Sequence, residues 1–74
     1  MTPDDFKAWR EAMRLTQDGA ATALGLSNAT IQNYERGRRL DGKPAPIPRT
    51  TALACGALFH RIAPWGEDRR SERG

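Results

Sequence analysis

Four side chains at helical spacing, Asn28, Ala29, Gln32 and Asn33, stand just ahead of a cluster of cations. Between Arg36 and Arg49 the chain carries Arg36, Arg38, Arg39, Lys43 and Arg49 against Asp41 alone. A primary amide offers a donor and an acceptor together, the pair that adenine N6 and N7 can take up in a major groove, and an alanine can touch a thymine methyl. Guanidinium and ammonium groups nearby suit phosphates. The basic run by itself would serve equally as a solvated loop. Its position directly after an amide-bearing helix is what favours double-stranded DNA.

Two short helical patterns must position these groups. Thr16 caps the first, with Asp18 in its first turn and Ala20, Ala21, Ala23 and Leu24 as a slim, close-packing body. Gly25 reads as the stop, because a residue without Cβ takes the left-handed turn that a sharp corner between helices requires, and Leu26 plugs that corner. Ser27 caps the second pattern, Asn28 to about Arg36, which Gly37 ends. Ile31 and Tyr34, three apart, face inward and leave Asn28, Ala29, Gln32, Asn33 and Arg36 outside. Gly19 is unusual, since glycine inside a helix costs roughly 1 kcal/mol relative to alanine; either backbone comes very close there or the helix is marginal.

Upstream, Thr2-Pro3-Asp4-Asp5 is a helix start, followed by a stripe of Phe6, Trp9 and Ala12 or Met13, and this helix is expected to end near Leu15. Downstream, Gly42, Pro44, Pro46 and Pro48 rule out a helix over 38–48, where a partly extended loop is expected. A last helix runs from Arg49 to about Arg61 and is apolar on more than one face. Ile62, Pro64 and Trp65 either fold back on the core or swap onto a partner. A domain over 1–66 and a disordered polar tail over 67–74 are expected.

With 74 residues, 38% of them hydrophobic, the chain has room for one domain with a thin core. The surplus on the last helix suggests self-association, with Leu58, Phe59, Ile62 and Trp65 as candidate seam residues. A net charge of +3 favours an anionic partner. One cysteine and one histidine leave no disulfide, no cysteine-based zinc site and no cofactor site, and the chain fits a reducing cytosol. Neither a signal peptide nor a membrane span is expected. Catalysis lacks its parts: Asp4 and Asp5 belong to a helix start, Cys55 and His60 lie five apart on one helix, and no glycine-rich phosphate loop is present. Cys55 reads as a small buried hydrophobe.

Thr16-Gln17, Ala21, Leu24-Gly25, Ser27, Thr30-Ile31 and Tyr34-Glu35-Arg36-Gly37 together resemble the Cro/CI-type, or XRE, helix-turn-helix family, over roughly residues 5–60 with the helix-turn-helix at about 16–37. The resemblance implies an all-α, lambda-repressor-like bundle of four or five short helices. In it the second helix crosses the DNA backbone and the third lies in the major groove. It assigns base reading to Asn28, Ala29, Gln32 and Asn33. It assigns phosphate contacts to Gln17, Thr30, Arg36, Arg38, Arg39, Lys43 and Arg10, and an orienting ion pair to Arg10 and Glu35. Thr30 stays open between a phosphate and a bond back within its helix. The implied function is a homodimeric regulator on a palindromic operator, an autoregulatory repressor similar to those of phages and mobile elements, including regulators encoded beside anti-CRISPR genes. The alternative is an antitoxin or adaptor that binds another protein through the last helix and the Trp65 region. Gly19 and the long proline-rich loop depart from the plainest family members.

Overall fold

The computed structural model describes residues 1–67. Four helices, α1 (Pro3–Ala12), α2 (Gln17–Leu24), α3 (Asn28–Arg36) and α4 (Arg49–Phe59), make an all-α bundle. Helix α3 packs on α1 and α2, and α4 packs on α2. The expected tail lies outside the described residues apart from Glu67.

Each of the first three helices starts on a side-chain oxygen. Thr2 Oγ1 accepts from the Asp5 amide at 3.0 Å while Asp5 returns the bond to the Thr2 amide at 2.8 Å, a reciprocal capping box. That backbone bond, followed by the Thr2 hydroxyl, holds the Asp5 carboxyl below its ordinary pKa. Thr16 caps α2 through the Gly19 amide and Ser27 caps α3 through the Thr30 amide. Gly25, at φ 70°, supplies the left-handed residue of the corner. At Gly19 the close approach is made by side chains: a Cβ there would lie 3.3 Å from Leu15 Cδ2 and 3.3 Å from Thr16 Oγ1.

Helix α1 ends three residues earlier than its pattern suggests. Arg14 turns left-handed at φ 56°, and the Leu15 amide reaches back to the Arg10 carbonyl at 3.0 Å, which terminates the helix without glycine. The same device ends α4 at Phe59 instead of about Arg61: Arg61 sits at φ 58° and the Ile62 amide bonds the Ala57 carbonyl at 2.8 Å. Of the two candidates on the α1 stripe, Met13 is half-buried and Ala12 exposed, and Ala23 of α2 is exposed as well.

The core is Phe6, Trp9, Ala20, Ala21, Ile31, Tyr34 and Cys55, with Met13, Leu15, Leu24, Leu26, Ile47 and Leu58 packed around it. Phe6 lies edge-on to Tyr34 at 5.7 Å and tilted against Trp9 at 5.4 Å, so one ring ties α1 to α3. The Trp9 indole donates to the Cys55 carbonyl at 2.9 Å and ties α1 to α4. Burial pushes the Cys55 thiol up from 9.0 to about 11. The neutral thiol therefore favours the folded chain fully below about pH 9, and this contribution is lost as pH rises toward 11. At pH 8 a thiol reagent should label the native protein no faster than the protein unfolds. Stopped-flow labelling at the rate of a free thiol would contradict this burial.

The loop over 38–48 is more ordered than expected. The Arg39 amide bonds the Lys43 carbonyl at 2.7 Å, the Gly42 amide bonds the Arg39 carbonyl at 3.0 Å, Arg38 bridges Pro44 in antiparallel register, and the Ala45 amide reaches the Gly37 carbonyl at 3.2 Å. This is a small hairpin with a three-residue connection, Leu40-Asp41-Gly42, whose last residue takes the left-handed conformation at φ 85°. Asp41 Oδ1 also accepts the Lys43 amide at 3.0 Å and closes the turn from inside.

Candidate nucleic-acid interface

Ile31, Tyr34 and Glu35 bury one side of α3. The other side carries the expected base-facing residues. Ala29 and Gln32 are exposed, and Asn28 and Asn33 are half-buried. Ala29, Gln32, Asn33 and Arg36 line an open concavity of about 310 Å³ together with Arg39, Leu40 and Asp41 of the hairpin. The geometry therefore joins the amide face and the cationic loop into one surface.

A chain of hydrogen bonds orients the amides. Asn28 donates its Nδ2 to Asp18 Oδ1 of α2, and Gln32 donates its Nε2 to Asn28 Oδ1. A carboxylate only accepts, so Asp18 compels the Asn28 amino group toward itself, and the Asn28 carbonyl then compels the Gln32 amino group. What Gln32 keeps for an outside partner is its Oε1 and its second N–H, the pair that adenine N6 and N7 require. Arg36 donates Nη2 to Asn33 Oδ1 at 2.5 Å, which leaves the Asn33 amino group outward.

Behind this face, Arg10 of α1 holds Glu35 bidentately, Nε to Oε2 at 2.6 Å and Nη2 to Oε1 at 3.1 Å, and donates Nη1 to the Leu15 carbonyl at 3.1 Å. The bond to Glu35 raises the Arg10 pKa, with burial opposing it. The Glu35 side chain is 7% exposed and that of Arg10 20%, so the pair lies largely beneath the surface. Gln17, expected on a phosphate, is half-buried with its Nε2 3.4 Å from Glu35 Oε1, so α1, the start of α2 and the end of α3 meet at one carboxylate. The Thr30 hydroxyl lies 2.9 Å from the Ser27 hydroxyl, which places it within its own helix cap. Arg38, Arg39 and Lys43 are exposed on the hairpin, and Arg39 is engaged by Asp41 at 3.0 Å. Four residues given no site role from sequence join the surface: Asp18 through Asn28, Leu40 and Asp41 at the hairpin tip, and Lys7, which lines a second concavity of about 470 Å³ with Gln17, Gln32, Glu35 and Arg36. For Leu40 the signal was available, since Asp41-Gly42 is a hairpin dipeptide.

No group of metal-binding side chains gathers among the described residues, and no helix among them is long and apolar enough to cross a membrane. The capped α2 and α3 joined at Gly25, with amides outside and aromatic packing behind, define a DNA-binding helix-turn-helix regulator. The chain belongs to the Cro/CI-type helix-turn-helix family: the family model described as Helix-turn-helix matches residues 6–43, just over half of the chain. No curated protein and no solved structure matches it.

Proposed function

We infer that the protein is a sequence-specific, autoregulatory repressor that binds an inverted-repeat operator as a homodimer, with α3 of each copy in the major groove. The observation that carries this reading is the union of Ala29, Gln32 and Asn33 with the cationic hairpin around one concavity, while Ile31 and Tyr34 brace α3 from behind. Asn28 and Gln32 read bases as an oriented pair. Arg36, Arg38, Lys43 and Lys7 meet phosphates, and Arg10 acts chiefly through Glu35.

The dimer is supported by a separate apolar groove lined by Ala23, Leu24, Ala54, Leu58, Ile62 and Trp65, among others, none of which belongs to α3 or the hairpin. Phe59, 54% exposed, and Leu53 extend the apolar surface of α4. A seam here leaves both copies of α3 available, about one helical turn or 10 to 10.5 base pairs apart on the duplex. Were the groove a seat for a different protein, as in an antitoxin, the chain would sediment as a monomer both free and on operator DNA.

Selection from random duplexes should return a palindrome. On that operator, Gln32→Ala or Asn33→Ala should relax the preference at its own base by about 5- to 150-fold, the span of a lost bidentate contact, while leaving binding to random duplex nearly unchanged. Arg38→Ala should weaken both duplexes alike. Titrations in which the two classes of variant behave identically would refute these roles.

A further inference from the structure

Leu40 is 92% exposed at the tip of a hairpin that cannot fold it away. The paired Arg39 and Lys43, the Arg38–Pro44 bridge and the Asp41 carboxylate on the Lys43 amide fix the turn on both sides of it. Single exposed leucines are common on protein surfaces and require no special account. The placement of this one is what counts, because Leu40 and Ala29, Gln32 and Asn33 line the same concavity. Any duplex that receives α3 must therefore also pass Leu40. Arg39 at the tip is offset by Asp41, but Arg38 and Lys43 flank the turn and Arg36 lines the same concavity, so the net charge beside Leu40 is positive and suits a polyanion rather than an apolar protein patch.

We propose that Leu40 is a second base-reading element, a hairpin tip that enters the edge of the major groove beside α3 and packs on the 5-methyl group of a thymine. The inference rests on the DNA-binding reading above and adds a specificity residue to it. The chemistry selects the target: along the floor of the major groove the base edges offer donors and acceptors, and the thymine methyl is the apolar group. The contact is distinct from any made by Ala29, which belongs to the first turn of α3, whereas Leu40 belongs to the hairpin.

The test uses the full chain, the selected operator, and versions of that operator in which each thymine in turn is replaced by deoxyuridine, which removes only the methyl group. Wild-type protein should lose about fourfold in affinity at one thymine per half-site, the factor that burial of one methyl group carries. Leu40→Ala, which removes the contact from both copies, should lose about 16-fold on the intact operator, the square of that factor, and become insensitive to that one replacement, while Ala29→Gly should remain sensitive to it. Leu40 is exposed, so the variant should keep its melting temperature. Equal weakening on operator and random duplex, an unchanged affinity, a methyl sensitivity that survives Leu40→Ala, or a change of oligomeric state in the variant would each overturn the proposal. A wild-type protein that prefers no duplex at all would instead remove the DNA-reading function itself, and this inference with it.

Discussion

Glu35→Ala will cost the fold about 3 kcal/mol, the low end of what removing one partner from a buried ion pair carries. The low end applies because Arg10 keeps a 20% exposed side chain that water can partly solvate, whereas Glu35 is nearly covered. The substitution leaves Arg10 Nε and Nη2 and the Gln17 amide without their shared acceptor. A domain of this size is stable by roughly 4 to 11 kcal/mol, so the loss is a large share of the total. It should appear as a fall of about 12 to 24 °C in melting temperature followed by circular dichroism. The pair locates α1 and α3 more than it stabilises them. Replacing both partners, Arg10→Met with Glu35→Leu, should therefore recover most of the stability yet leave operator affinity reduced. A Glu35→Ala protein that melts within a few degrees of wild type would show that the carboxylate is not the junction of α1, α2 and α3.

The elements around the site were legible because their boundaries are set by local chemistry. Thr16, Ser27, Gly25 and Gly37 each act on backbone groups within a few residues, so the extents of α2 and α3 follow from the sequence and agree with the structure. The inward faces of Ile31 and Tyr34 follow from spacing alone. The ends of α1 and α4 were not legible, because Arg14 and Arg61 take the left-handed conformation that glycine normally marks. The hairpin was obscured by its prolines, which exclude a helix but do not reveal that Arg39 and Lys43 pair across Asp41-Gly42. Contacts between distant residues were the least accessible. Nothing in the spacing shows that Asp18 orients Asn28, or that Trp9 reaches the carbonyl of Cys55, forty-six positions away. The Arg10–Glu35 pairing was anticipated only through the family resemblance, since two charges twenty-five positions apart have no local signature.

Raising salt from 50 to 200 mM should weaken operator binding by roughly 10⁴-fold if two copies bind together, and by only about 150-fold if one does. The difference follows from counting cations that are not already neutralised within the chain. Lys7, Arg36, Arg38 and Lys43 are exposed and make no ion pair among the described residues, whereas Arg39 is held by Asp41 at 3.0 Å. Four phosphates neutralised per copy give a log-log slope of about 3.6, and two copies about 7.2. The slope therefore reads the stoichiometry and the charge count in one titration. Asp41→Asn separates them. Asparagine keeps the oxygen that accepts the Lys43 amide, so the turn persists, but it releases Arg39 to a phosphate. The variant should bind more tightly at low salt and steepen the slope by about 0.9 per copy, close to 1.8 for a dimer. An Asp41→Asn slope equal to that of wild type would mean that Arg39 never faces the backbone, and that the hairpin approaches DNA through Arg38 and Lys43 alone.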